Sequence, residues 1–235
     1  MVMGKTYVIG NINGKYQELI TLLEKMNLGI KDKLYILGDT IGYRKGSLKA
    51  LQFFMKMPNC GCIMGTQEFI MLQNRKTLEK LNRESKDIFR NNLLSLLEFI
   101  RIFGDDTFDE IVKLPENNKK EMFDYIKTMK TSVEINVNGQ DYILSNAEID
   151  RPLKNKIQVA AHRPTLFIKE NPRPNCIYKD SIHIKLNCDA FSTNGRLSAI
   201  CLDNKEEFYS KDEENFAYLC LSKQIADNLP LVEKA

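Results

Sequence analysis

Polar side chains that follow a strand and precede a helix are delivered to the carboxyl edge of a sheet, where open α/β sheets build their sites. Three stretches of this chain have that form: Gly10-Asn11-Ile12-Asn13-Gly14, Gly38-Asp39-Thr40-Ile41-Gly42 and Gly65-Thr66-Gln67-Glu68. Each ends an apolar run, Tyr7-Val8-Ile9, Leu34-Tyr35-Ile36-Leu37 and Cys62-Ile63-Met64, and each leads towards a helical pattern. The groups presented are amides, a hydroxyl and the carboxylates of Asp39 and Glu68. Around such a rim Arg44, Lys15, Lys45 and Arg163 are cations that could hold an anion, helped by backbone amides at the helix starts. Plainer roles exist for the same residues. Asp39 can cap its own turn, and the cations can be solvated surface charges.

The spacing and wording of the three turns resemble the calcineurin-like metallophosphoesterases of the phosphoprotein-phosphatase type. That family reads Gly-Asp-x-His-Gly, then Gly-Asp-x-x-Asp-Arg-Gly, then Gly-Asn-His-Glu. The likeness extends to Ser145-Asn146-Ala147, to Ala161-His162-Arg163-Pro164-Thr165 and to Gly195-Arg196-Leu197. It implies two metal ions about 3.5–4 Å apart that clamp a phosphate and activate a water. Carried over by position, Asn11 and Asn13 stand where the first metal has Asp and His. Asp39 keeps the bridging place. Thr66, Asn146 and His162 stand at the second metal's ligands, and only His162 is retained. Gln67 stands where the family has the histidine that protonates the leaving group. Gly42 and Tyr43 replace an Asp and a phosphate-binding Arg, with Arg44 one residue late, and Glu68 is kept.

These replacements all act in one direction. Amide oxygens are poor substitutes for carboxylate or imidazole toward transition metals, and an amide at position 67 cannot exchange a proton near neutral pH. The resemblance therefore implies a pseudophosphatase: no catalytic residue, a vestigial metal site at Asp39 and His162, and no tightly bound cofactor. At most one divalent metal would be weakly held. Its partner would be a protein or an anionic or phosphorylated ligand, which Arg44, Lys15 and Arg163 would help bind. The alternative is a divergent metal-dependent phosphoesterase that rebuilds a site with carboxylates such as Glu148 and Asp150. His183, in an apolar strand, reads as structural.

The elements needed to position these residues are legible around them. Lys15 to Asn27 has apolar residues at helical spacing and a carboxyl cap near Asn27-Leu28-Gly29. Ser47 to Met57 reads as a helix stopped by Pro58. Leu93, Leu94, Leu97, Ile100 and Ile102-Phe103 mark an amphipathic helix, and Glu116 to Met129 marks another after Pro115. Ser132 to Val137 alternates in period two before Asn138-Gly139, a hairpin signal. Strands are expected again at Asp141–Leu144, Gln158–Ala161, Ser181–Leu186, Leu197–Leu202, Glu206–Tyr209 and Phe216–Leu221, with a loop at Asn171-Pro172-Arg173-Pro174-Asn175. The expected fold class is α/β (α+β), a four-layer αββα sandwich of two mixed sheets flanked by helices. One domain is expected over 1–235, with a helical insertion at about 68–130 that forms a packing layer with a solvated charged face.

Composition sets outer bounds. A net charge of +3 is too small to be a nucleic-acid footprint. No apolar run is long enough for a bilayer and no secretory pattern opens the chain, so the cytoplasm is expected. Six cysteines are present, four within apolar strand-like runs, and they read as reduced core thiols. Cys60-Gly61-Cys62 lacks the second ligand pair of a zinc knuckle.

Overall fold

Strand β1 (Thr6–Ile9) shows how the sheets are made. Its alternating side chains serve two cores, Tyr7 and Ile9 on one face and Val8 on the other. The computed structural model describes residues 4–82, 86–150, 153–192 and 195–212, so the strand expected at Phe216–Leu221, and Cys220 with it, lies outside the described residues. After β1 come α1 (Tyr16–Met26), β2 (Lys33–Ile36), α2 (Ser47–Lys56) and β3 (Cys60–Cys62). The cap of helix α1 falls within the expected Asn27-Leu28-Gly29 stretch, two residues before the glycine. Asn27 itself takes the left-handed conformation, φ 47°, which asparagine tolerates.

A helical segment comes next: α3 (Thr66–Gln73), α4 (Arg75–Lys80), α5 (Lys86–Asn91), α6 (Leu93–Lys113) and α7 (Glu116–Thr128). The apolar stripe on α6 differs from the expected one. Leu96, Phe99 and Phe103 are buried, whereas Leu93, Leu94 and Leu97 are exposed. Spacing of three and four residues selects the first set, and Phe99 stacks on Phe103 with centroids 4.3 Å apart. Helix α6 is broken at Gly104, whose φ of 74° interrupts the helical backbone. Beyond the break the chain resumes its helix to Lys113, a continuation the sequence pattern did not indicate.

The remainder is β4 (Ser132–Val137), β5 (Gln140–Ser145), β6 (Ile157–Ala160), β7 (Tyr178–Lys179), β8 (His183–Lys185), β9 (Ser198–Cys201) and β10 (Glu207–Tyr209), with a short 3-10 turn at Thr165–Phe167. Asn138 and Gly139 both have positive φ and turn the β4–β5 hairpin. One sheet has the order β10-β9-β1-β2-β3 and the other β4-β5-β6-β8-β7. Both are mixed: β1, β2 and β3 run parallel, as do β5, β6 and β8, while β9, β10, β4 and β7 pair antiparallel. The sheets meet across a core of Val8, Leu37, Leu144, Val159, Ile184 and Ile200. Helices α1 and α2 cover the far side of the first sheet through Leu19, Leu22, Ala50 and Phe54. Two mixed sheets flanked by helices is the architecture expected from the sequence. Among the described residues, no helix is long and apolar enough to cross a membrane.

Candidate functional site

Main-chain bonds tie the first two turns together, and the carboxylates of Glu68 and Asp39 bring in the third. The carbonyl of Asp39 accepts from the N–H groups of Ile12 (3.1 Å) and Asn13 (2.7 Å), and Gly14 N–H reaches Thr40 O at 3.1 Å. Gly42 is fixed by this contact, since a Cβ there would stand 2.3 Å from Asn13 O. The position at which the resemblance puts an aspartate can therefore hold only a glycine while the turns approach this closely. Asp39 itself has a left-handed backbone, φ 46°.

Two buried carboxylates organise what the turns enclose. Glu68, fully buried, accepts Asp39 N–H at 2.8 Å, Thr40 N–H at 2.7 Å, Gly65 N–H at 3.0 Å and, more weakly, Ile41 N–H at 3.4 Å. Asp39, 4% exposed, uses Oδ1 to accept Gln67 N–H at 2.9 Å. Its Oδ2 accepts the Asn11 amide at 2.8 Å and, at 3.4 Å, the Asn146 amide. Asn146 also donates to Asn11 Oδ1 at 3.1 Å and to Leu37 O at 2.7 Å, which closes the lattice. Burial raises the carboxyl of Asp39, against the opposing pull of Gln67 N–H, Asn146, His162 and Thr66 N–H. Burial first, then the charge of Asp39, pushes Glu68 up to about 7.

The expected site residues divide into a floor and a rim. Asn11, Asn13, Asp39 and Asn146 are buried and form the floor. Thr66 and His162 are exposed above it, with His162 N–H bonded to Asn146 O at 2.9 Å. His162 is thus not a buried core histidine. Gln67 is half-buried, and its Oε1 has no partner among the described residues. Half-buried Arg44 lies over the Tyr43 ring at 4.9 Å and donates to Tyr43 OH and Phe191 O, while its Nε is unpaired among the described residues. Arg163 is exposed and donates to Phe167 O.

Three expectations are corrected. Lys15 is not a rim cation: it is 5% exposed, donates to Gly195 O at 2.8 Å and pairs with Glu18 at 3.3 Å. Glu148 is engaged by Lys185 at 2.6 Å rather than turned to the floor. Cys60 and Cys62 are half-exposed, not core thiols. His183 bonds the Asp180 carboxylate at 3.0 Å and remains a structural residue.

The donor set does not fit a pair of divalent ions. Among the described residues no three His, Cys, Asp or Glu side chains are grouped to hold one. Both oxygens of Asp39 already face N–H donors, and its neighbours offer neutral amides, which offset none of the charge of two cations. The arrangement suits hydrogen bonding to a polar or anionic group, with Arg44 and His162 at the rim.

Helix α6 contributes groups that no local pattern announced. Thr107 Oγ1 donates to Gly42 O at 2.7 Å, and Glu110 accepts Leu48 N–H at 3.2 Å and also Gly46 N–H. Phe191 packs on Tyr43 with centroids 4.8 Å apart. The one sequence signal was Gly104 directly after the helical pattern that ends at Phe103, a position that marks a helix break. Its Cβ position lies 3.0 Å from Tyr43 O.

Comparison with known proteins gives the fold independently. A metallophosphoesterase from Sphaerobacter thermophilus superposes with TM-score 0.53 at 12% identity, covering 96% of this chain and 95% of its own. A provisionally assigned diadenosine tetraphosphatase gives 0.59 at 13% identity over 88% and 93%. A protein serine/threonine phosphatase from Saccharomyces cerevisiae gives 0.53 at 11% identity over 90% and 82%. In sequence, the symmetrical bis(5'-nucleosyl)-tetraphosphatase of Wigglesworthia glossinidia brevipalpis is 34% identical over 82 residues, which is 34% of this chain. That of Actinobacillus succinogenes is 29% identical over 109 residues, 46% of the chain. The chain spans only 30% and 35% of the length of these two relatives. No family model matches.

Proposed function

We propose that this chain, which has the fold of the calcineurin-like metallophosphoesterases, uses its cleft to bind a phosphorylated or otherwise anionic ligand without hydrolysing it. One observation carries the reading: both oxygens of Asp39 are taken by N–H donors from Asn11, Asn146 and Gln67. A carboxylate so occupied, beside amides, is a poor bridge between metal ions. Gln67 adds no proton donor for a leaving group. Half-buried Arg44 and exposed His162, at the rim, are the side chains left to meet an anionic ligand.

The similarity to proteins named as symmetrical bis(5'-nucleosyl)-tetraphosphatases favours a second reading, a phosphoesterase that works with Asp39, His162 and one weakly held metal. One experiment separates the two. The protein is incubated with manganese and a bis(5'-nucleosyl) tetraphosphate, and products are followed by chromatography beside an Asp39→Ala control. Equal background hydrolysis, with calorimetric binding of the nucleotide in chelator, is the expected result. Metal-dependent turnover that the Asp39→Ala variant lacks establishes the second reading.

A further inference from the structure

Away from the cleft, Cys60 and Cys62 stand two apart on β3, which is the edge strand of the first sheet. Alternation along a strand puts both thiols on one face. Both are half-exposed and unbridged. They open on a pocket of about 250 Å³ that Tyr125, Met129 and Lys130 also line.

Geometry separates two uses for such a pair. Residues two apart on a strand are about 6.5 Å apart along the backbone, whereas a disulfide needs its Cβ atoms about 3.5–4.5 Å apart. The ladder to β2 pins this strand at Cys60, Gly61 and Cys62, through Leu34, Tyr35 and Ile36, so closing a disulfide means bending a paired strand. A cation bridging two sulfurs asks for less. With metal–sulfur bonds on the order of 2.3 Å, the sulfurs sit up to about 4.6 Å apart, far wider than the ~2.05 Å of a disulfide bond. Two thiols cannot fill the four-ligand shell of structural zinc. Thiolates and a thioether are the soft ligands that select Cu(I), and they are what the pocket presents.

We propose that Cys60, Cys62 and Met129 form a binding site for a soft monovalent cation of the Cu(I) class. Binding exchanges the cation for the two thiol protons, which pass to the buffer, and no electron changes hands. The charge of Lys130, which lines the pocket with Tyr125, offsets the negative bis-thiolate complex. Because each thiol gives up its proton on binding, uptake weakens as the solution is acidified. The site is independent of the cleft and of how the cleft is read.

The full chain, reduced and kept from oxygen, is titrated with Cu(I) against a chromophoric Cu(I) chelator. One ion retained per chain is expected, with loss in Cys60→Ser and in Cys62→Ser and lower retention in Met129→Leu. Thermal melts of the variants run alongside. X-ray absorption of the loaded unmodified protein, which depends on no variant, should give sulfur ligation alone. Retention by the Cys60→Ser/Cys62→Ser double variant, no retention by the unmodified chain, or nitrogen and oxygen ligation each overturns the proposal. So does oxidation of the pair to a disulfide by glutathione disulfide in a chain that takes up no Cu(I).

Discussion

Asp39 and Glu68 are buried carboxylates in the same knot of turns, yet they are held in different ways. All of the hydrogen bonds that Glu68 accepts come from main-chain N–H groups, of Asp39, Thr40, Gly65 and Ile41. Asp39 is held by the main-chain N–H of Gln67 and by the side chains of Asn11 and Asn146. The first arrangement depends on one side chain, Glu68, and its donors all belong to the backbone path. The second belongs largely to side chains, and each can be exchanged without moving a turn. A scaffold can therefore persist around a centre whose chemistry has been replaced.

Removing Glu68 should produce the largest effect. Glu68→Ala leaves several buried N–H groups without an acceptor, each costing about 1–3 kcal/mol. A fall in unfolding free energy of at least about 3 kcal/mol is expected by denaturant titration. A smaller loss would mean that the cradle is not what joins the second and third turns. Asn11→Asp tests the other carboxylate. It sets a second carboxylate against Asp39 Oδ2, where Asn11 now donates at 2.8 Å. About 1–3 kcal/mol should be lost at neutral pH. Manganese should restore part of the melting temperature of this variant while leaving the unmodified chain unchanged. Equal responses would erase the distinction between scaffold and centre.

The pH dependence sharpens the same contrast. Both carboxyls are raised, so the folded chain holds these protons more tightly than the unfolded chain does. For Glu68 the resulting stabilisation is complete below the unfolded value of 4.5 and is lost as pH climbs through about 7. Melting temperature should fall across that window, and the fall should be shallower in Asp39→Asn, which removes one titrating partner. The smallest change is expected at the rim. Arg44→Ala gives up a ring contact and bonds to Tyr43 and Phe191, worth about 0.5–1 kcal/mol at a half-exposed site. Calorimetry should register little more than that.

The turns were readable in the sequence because their causes are local. An apolar run, a glycine forced by close approach and a helical pattern behind it leave few other conformations, and Asn11, Asp39 and Asn146 meet as their strand-end positions imply. Lys15 was misread because nothing local separates a rim cation from one that folds back to a carbonyl 180 residues away. The hold of Thr107 and Glu110 on the second turn was likewise invisible, being made across more than sixty residues. The α6 stripe erred differently: the chain offers more leucines than one face can bury, and packing chose among them. The exposure of Cys60 and Cys62 depends on β3 lying at a sheet edge, which spacing along the chain does not specify.

The break at Gly104 divides the labour within α6. Behind it, the turns that carry Thr107 and Glu110 splint the loop bearing Tyr43 and Arg44. Ahead of it, the first turns present Leu93, Leu94 and Leu97 to solvent and make none of these bonds. The forward part still braces the second turn, but by packing rather than by hydrogen bonds, since Leu96, Phe99 and Phe103 share a core cluster with Ile41 and Leu48. One helix thus holds the loop at the cleft twice, through an apolar face before the break and polar groups after it.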